Sequence, residues 1–375
     1  MSLWTSPKGE ALPDVFFQVA RKVYEGDPHW PVEDEAVVRW MFSPQHAYGE
    51  GIDWAVCGVG DKARAGLFFD ENLLMDEVPA ACFGYWEGLN DPEAHRELLS
   101  HAEEWAREKG AKKLYGPINF STYYAYRIRT EGFLDEPPFP GECYNPEYYQ
   151  SLLEGLGYTE RESYLSLRPN DYAFSAFEKV AEATEAKLNS VGLKAMVLTP
   201  EYWLDNRKKI FPIFQATWKH NLGYVPVPYE TFHAVYDEKV TKKIDPHLSI
   251  VVHDGNDELA GYFVVFPDYG SLLAQGNPNR VRESDLNYKE HFPLLENPKL
   301  LMKSGCVVPK YREHGLFTMM SVIVCGKAAK HGYRNPIACM VRSDNPSQKM
   351  GEFLQRIEPR TVLTTQRYGL FVKEL

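Results

Sequence analysis

The chain is 375 residues long with 44% hydrophobic, 14% aromatic and 25% charged residues, enough apolar surface to offset the chain entropy that keeps low-hydrophobicity sequences unfolded, so wholesale disorder is excluded. At roughly 100–200 residues per domain, this length predicts two domains. The net charge of −11 is unevenly spread: residues 1–170 hold 15 Lys and Arg against 29 Asp and Glu, a net of −14, and residues 171–375 hold 26 against 23, a net of +3, so the first half should repel polyanions and no nucleic-acid partner is expected.

No apolar run approaches the roughly 18 residues that a membrane helix needs, and Met1 to Glu10 lack a basic segment followed by an apolar one. A soluble, unexported chain without a membrane partner is therefore expected. The six cysteines, Cys57, Cys82, Cys143, Cys306, Cys325 and Cys339, never form CxxC and have no histidine at ligand spacing. Neither a metal site nor a disulfide framework is indicated, and the expected compartment is the cytoplasm.

In chain order, residues 14–24 read as a helix and 54–59, 63–69 and 80–86 as strands. Residues 92–109 are a strongly marked helix: Leu98, Leu99, Ala102, Trp105 and Ala106 share one face, Asp91 is placed to cap, Pro92 takes the first helical position and Gly110 is the stop. A strand at 113–118 follows. Asn145-Pro146 has the form of an N-cap with proline at N1, ahead of a helix carrying Tyr149, Leu152, Leu153 and Leu156 and a closing strand at 163–168. Pro169-Asn170 marks a boundary near 168–172.

Beyond it come strands at 194–198, 248–253 and 259–266, with helices near 202–220 and 229–243. Residues 316–331 then repeat the earlier helix design, with Leu316, Met319, Met320, Ile323 and Val324 on one face and Gly332 as the stop. A strand at 337–341, Asn345-Pro346, a helix carrying Met350, Phe353, Leu354 and Ile357, and a closing strand at 366–373 complete the second copy. A strand–helix–strand–helix–strand order occurring twice is a duplicated α/β unit, and the expected domains are 1–170 and 171–375.

The copies differ in two ways. Thirty-five residues separate Gly110 from Asn145 but only 13 separate Gly332 from Asn345, so the first copy carries an insertion at 119–144, far above the usual two to six or so connecting residues. Its Tyr123, Tyr124, Tyr126, Arg127 and Arg129 are either acceptor contacts or an aromatic lid packed on its own domain. The turns before the repeated helices differ as well. Val307 to Leu316 runs from a strand into an amphipathic helix with Arg312 and Gly315 in the turn, an arrangement that aims backbone N–H groups and the positive helix end at one spot and suits a pyrophosphate. The equivalent Glu87-Gly88-Leu89-Asn90-Asp91-Pro92 offers two carboxylates and a proline without an N–H, and would repel the same anion.

The segment Val307-Val308-Pro309-Lys310-Tyr311-Arg312-Glu313-His314-Gly315-Leu316 resembles the V-x-P-x-Y-R-x-x-G-[IL] form of the acyl-CoA loop of the GNAT acyltransferase superfamily, and Asn345 resembles the asparagine that opens the next helix in that fold. Tyr115-Gly116-Pro117-Ile118-Asn119-Phe120-Ser121, Glu131-Gly132-Phe133, Pro137-Pro138 and Tyr144-Asn145-Pro146-Glu147-Tyr148-Tyr149 are similar to a largely uncharacterised bacterial family of GNAT-like proteins, as is Trp218-Lys219-His220-Asn221-Leu222-Gly223-Tyr224-Val225-Pro226. Three departures stand out. Phe317 puts a ring where the loop usually ends in a small residue. Thr122 to Arg129 replaces the family's acidic stretch with phenols and guanidiniums. The helix from Pro346 to Ile357 has no tyrosine to act as general acid, so that group is missing or comes from elsewhere.

The resemblance implies an α/β fold of two tandem GNAT-like acyl-CoA acyltransferase domains, each a mixed central sheet flanked by helices. It further implies an acyl-CoA co-substrate, with acetyl-CoA foremost and no metal, held by Val307, Val308, Arg312, Glu313, His314, Gly315, Leu316 and Asn345. The reaction expected from it is transfer of the acyl group to an amine of a small molecule by a monomer or homodimer. Asp344, Glu313 and His253 are the candidate bases, and an acceptor bearing a carboxylate or an aromatic ring suits the tyrosines and arginines of 119–144. The alternatives are a non-catalytic ligand-binding protein of the same fold and a transferase that uses aminoacyl-tRNA.

Overall fold

The computed structural model describes residues 2–46 and 51–375. Its strands are β1 (Leu3–Pro7), β2 (Asp53–Val59), β3 (Ala63–Met75), β4 (Val78–Gly88), β5 (Lys113–Gly116), β6 (Ile128–Glu131), β7 (Thr159–Pro169), β8 (Lys194–Val197), β9 (Ile250–His253), β10 (Leu259–Pro267), β11 (Leu300–Val307), β12 (Pro336–Arg342) and β13 (Leu363–Glu374). The helices are α1 (Asp14–Val23), α2 (Glu35–Met41), α3 (Pro92–Glu108), α4 (Tyr149–Gly155), α5 (Tyr172–Ser190), α6 (Pro200–Trp218), α7 (Tyr229–Val235), α8 (Glu238–Thr241), α9 (Gly270–Leu273), α10 (Tyr288–His291), α11 (Leu316–Ala328) and α12 (Met350–Ile357).

All the strands join one mixed sheet in the order β1-β2-β3-β4-β5-β13-β7-β12-β11-β10-β9-β8, with β6 also paired to β13. Only β4 with β5 and β11 with β12 run parallel; these are the strands joined through α3 and α11, as a crossover helix requires. The closing strands change places. β13, the last strand of the second half, lies between β5 and β7, and β7, the last strand of the first half, pairs with β12 through Leu167, Leu165 and Tyr164.

The repeated helices form as their patterns predict, with instructive exceptions. In α3, Asp91 accepts from the Ala94 N–H at 3.1 Å, and Leu98, Leu99, Ala102 and Ala106 are buried. The expected single apolar face of α11 is an underestimate, because Val322 and Cys325 are buried as well. The reason is α5, a helix the sequence reading leaves out, which packs across the back of α11 with Phe174 and Phe177 in the same core. The expected helix at 229–243 breaks in two where Asp237 turns its carboxylate back to cap α8, accepting from Lys239 and Val240. Neither Asn-Pro pair caps an α-helix at once. Asn145 instead bridges β6, accepting from the Arg129 N–H at 2.7 Å and donating to the Arg129 carbonyl at 3.1 Å, and α4 starts later, at Tyr149. In the second copy a 3₁₀ turn at Pro346–Lys349 precedes α12.

A buried ionic node sits where the strands exchange. Glu142 of the insertion receives Arg129 of β6 at 3.0 Å, Arg168 of β7 at 3.1 Å, the Phe139 N–H at 3.1 Å and the hydroxyl of Tyr368 of β13. Arg168 also reaches Glu136 at 2.6 Å, which in turn holds Lys299 at 2.8 Å. The insertion is therefore tied to both halves. Removing one member of a buried ion pair leaves the others uncompensated, at a cost of about 3–5 kcal/mol. Glu142→Ala is expected to lower the free energy of unfolding by that amount in denaturant titrations; a loss near that of an exposed carboxylate, about 0.5 kcal/mol, would contradict the role given to the node.

Candidate active site

The pairing of β11 with β12 ends at Met302 and Ala338. Past that point β11 stays with β10 through Val307, while β12 bulges at Met340, where φ is 47°, and continues along β7. The two strands splay apart, and the edge of β11 from Ser304 to Val307 that faces β12 has no strand partner among the described residues. The Val308 N–H donates to the Ala260 carbonyl of β10 at 2.9 Å. Because successive residues of an antiparallel ladder alternate direction, the Val307 N–H points the other way, into the splay.

Beyond Val308 the chain makes a 3₁₀ turn, Pro309–Tyr311, and enters α11 at Gly315, whose φ of 68° is strained for any residue with a Cβ. With no side chain to bond back, Gly315 leaves the first N–H groups of α11 uncapped. The turn is anchored from outside. The Tyr311 hydroxyl donates to Asp254 at 2.6 Å, and Lys310 lies 3.6 Å from Asp254 and 3.5 Å from Glu258 on the β9–β10 hairpin. Arg312 is exposed and donates through Nε to the Val307 carbonyl at 3.3 Å. The Phe317 ring turns toward the sheet, 5.5 Å from Phe263, where the missing Cβ of Gly305 makes room for it.

The first copy of this arrangement is closed by its own residues. Pairing of β4 with β5 ends at Cys82 and Tyr115, but the Ile118 N–H then bonds the Phe83 carbonyl at 2.7 Å and Asn119 accepts from the Tyr85 N–H at 2.6 Å. A Cβ on Gly84 would lie 2.2 Å from the Ile118 carbonyl oxygen, so nothing can pass between these strands. The turn is filled too. Tyr149 accepts the Gly88 N–H at 2.8 Å, and Asp91, paired with Lys62 at 2.5 Å, occupies the head of α3 where an anion would sit.

No family model matches the chain. Protein YghO of Escherichia coli strain K12 is 24% identical over 198 residues, 52% of this chain and 49% of that protein, so the chain spans about half the length of the curated relative it matches. Among solved structures, a tandem GNAT protein from the clavulanic acid biosynthesis pathway superposes with a TM-score of 0.52 at 14% identity, over 100% of this chain and 98% of that one. The chain has a tandem GNAT fold. A GCN5-related glucosamine N-acetyltransferase region of a fungal multi-domain GH3 β-N-acetylglucosaminidase gives a TM-score of 0.57 at 11% identity, over 99% of this chain and 38% of that one.

Within this GNAT fold the residues singled out from sequence separate into groups. Val307, Val308, Arg312, Glu313, His314, Gly315 and Leu316 all lie on the strand end and turn at the splay, with Leu316 buried and Glu313 and His314 exposed. Asn345 lies past the end of β12, its N–H turned back onto the Arg342 carbonyl at 2.9 Å. Of the candidate bases, Asp344 is exposed and receives Arg342 at 2.5 Å, a hydrogen bond that holds its carboxyl below the usual range and weakens it as a base. His253 is buried on β9, two strands from the splay, with Nε2 2.8 Å from the Tyr202 hydroxyl.

The insertion residues divide likewise. Tyr123 donates to the Val225 carbonyl at 3.1 Å and stacks on Phe214 at 6.1 Å; Tyr124 lies 2.8 Å from His46 Nε2; Arg129 is committed to Glu142. Arg127 reaches β12 at Met340, where that strand has left β11, and Tyr126 packs against it. The Arg127 guanidinium packs in the corner made by the rings of Tyr126 and Tyr164, 3.7 and 3.8 Å from their centroids, the two rings standing at 86° to each other, with Nη1 3.4 Å from the Met340 carbonyl. Tyr164, missed by the sequence reading, belongs to the exchanged strand β7, and nothing in its local sequence places it beside β12.

The closed first copy has a titratable centre. Tyr24 at 3.0 Å and Tyr149 at 2.5 Å donate to the Glu87 carboxylate, and burial, working against the charge of Arg64, pushes that carboxyl up to about 7. An unfolded glutamate titrates near 4.5. Between those values the folded chain holds a proton that the unfolded chain has lost, so Glu87 contributes stability that is full below about pH 4.5 and disappears as pH rises through about 7. Glu87→Gln is expected to flatten this part of the stability profile measured by denaturant titration from pH 4.5 to 8; identical profiles for variant and wild type would contradict it.

Proposed function

We propose that the chain is an N-acyltransferase whose halves, 1–170 and 171–375, divide the work: the second binds an acyl-CoA, with acetyl-CoA the simplest donor, and the first shapes the place of a small-molecule amine. One contrast carries this reading. The same strand pair and helix head are filled by Ile118, Asn119, Tyr149 and Asp91 in the first copy, and in the second are open at the strand edge and uncapped at Gly315. A pantetheine arm placed along Val307 and Val308 would set the thioester oxygen near the inward-facing Val307 N–H. The pyrophosphate would meet Arg312 and the N–H groups of His314 and Leu316 at the positive end of α11, the Gly315 N–H being taken by the Arg312 carbonyl at 3.0 Å.

The chemistry is a single displacement. The amine nitrogen attacks the thioester carbonyl carbon, a C–N bond forms, the C–S bond breaks, the nitrogen loses a proton and the departing thiolate gains one. The Val307 N–H, held in place by the β10–β11 ladder, is suited to the oxyanion that develops on the carbonyl oxygen, where one preorganised donor contributes about 3–4 kcal/mol. Among the described residues no helix is long and apolar enough to cross a membrane. With a net charge of −14 on the half that supplies the acceptor side, a small cytoplasmic amine suits the site better than a tRNA.

Isothermal titration with CoA tests the donor assignment. Arg312→Glu is expected to weaken binding at least tenfold, whereas Asn90→Ala, in the closed turn, should leave it unchanged. Equal losses in the two variants, or no binding of CoA to the wild type, would overturn the reading.

A further inference from the structure

We propose that Arg127 anchors a carboxylate of the acceptor, so that the amine to be acylated belongs to an amino acid or a closely related amino carboxylate. This rests on the donor lying in the β11–β12 splay and names what lies opposite it. The first observation is a missing partner. Among the described residues four arginines are buried, Arg64, Arg127, Arg129 and Arg168. Three of them hold a carboxylate: Glu33 for Arg64, Glu142 for Arg129, and both Glu142 and Glu136 for Arg168. Arg127, only 8% exposed, has no carboxylate within 4.0 Å among the described residues. A guanidinium cannot shed its proton to escape burial, and a buried cation is costly unless an anion compensates it.

The second observation is which edge is unused. Nη1 faces the Met340 carbonyl at 3.4 Å, a long contact, while Nε is buried with no hydrogen-bond partner. Nε and Nη2 together form the edge of the guanidinium that grips a carboxylate with two parallel hydrogen bonds. Tyr126 and Tyr164 approach the guanidinium at 3.7 and 3.8 Å with their rings at 86° to each other, so they pack on it from two adjoining sides and supply no anion. The third observation is position. Met340 lies two residues past Ala338, where β12 leaves β11, so a carboxylate on Arg127 would bring the amine beside it to the mouth of the splay.

Matched amines that differ only in the carboxylate test this: glycine against methylamine, lysine against 1,5-diaminopentane, tyrosine against tyramine. With acetyl-CoA as donor and release of free thiol as readout, at least one carboxylate-bearing member is expected to show a KM at least tenfold below that of its twin. Arg127→Gly should collapse the ratio toward one while CoA affinity stays intact. Glycine is chosen because φ at residue 127 is 75°, a conformation it adopts without strain, so the variant keeps the backbone. Arg127→Lys, which keeps the charge and loses the fork, should fall between the two. If the twins react equally in the wild type, or Arg127→Gly leaves the ratio unchanged, the proposal is overturned. Titrating the same amino acids into wild type and Arg127→Gly without CoA decides the anchor separately: binding lost in the variant supports it even if CoA itself does not bind, and equal binding overturns it even if CoA binds tightly.

Discussion

The exchange of β7 and β13 holds the rest of the molecule in register. Each half contributes the strand that finishes the other's sheet, so β5 meets β13, β12 meets β7, and the chain has one sheet instead of two. Glu142 marks the crossing, with Arg129, Arg168 and Tyr368 arriving from three different strands to share one carboxylate. First-half residues consequently stand beside β12, Arg127 at the Met340 carbonyl and Tyr164 paired with Arg342, which a second domain standing alone would lack. Residues of both halves meet beside β12 because the strands cross.

The two copies show how one architecture is satisfied in opposite ways. A splayed parallel pair and a helix head both present backbone groups that need partners. In the first copy the partners are internal: Asn119 for Tyr85, Tyr149 for Gly88, Asp91 for the head of α3. Closure there also buries Glu87 against two tyrosines, Tyr24 and Tyr149. In the second copy glycine replaces the capping aspartate and, among the described residues, the strand edge stays open.

Much of this was legible in the chain because it is local. Asp91, Pro92 and Gly110 delimit α3 through backbone hydrogen bonds within a few residues, and the tenancy of the two turns follows from whether a carboxylate or a glycine stands before the helix. The tandem fold could be read from the order of elements and from the Val307 to Leu316 string. What was not legible is long-range. Asn145 resembles a helix cap but bonds the β6 backbone, since the insertion returns to the sheet there. α5 lacks side-chain capping and sits at the seam between the copies, so its apolar face acquires meaning only against the back of α11. Arg127 and Arg129 are two residues apart and chemically identical, yet Arg129 is neutralised by Glu142 and Arg127 packs on Tyr126 and Tyr164 beside the Met340 carbonyl. Strand alternation does not separate them; the tertiary position of Glu142 does.

Strand exchange also sets the order in which the chain can become a protein. Val372 pairs with Tyr115, and Thr364 and Thr365 pair with Arg168 and Leu167, so β5, paired to β4 on one side, has no neighbour on the other until nearly all of the second half has been made. During synthesis, which delivers the N-terminal residues first, β5 and β7 wait with unpaired edges, the kind of surface on which extended chains aggregate. Contacts this remote in sequence slow the search for the native state, because the loop they close must be ordered before it is rewarded. The gap between β5 and β7 is a slot of fixed width and polarity, and the segment that fits it arrives last.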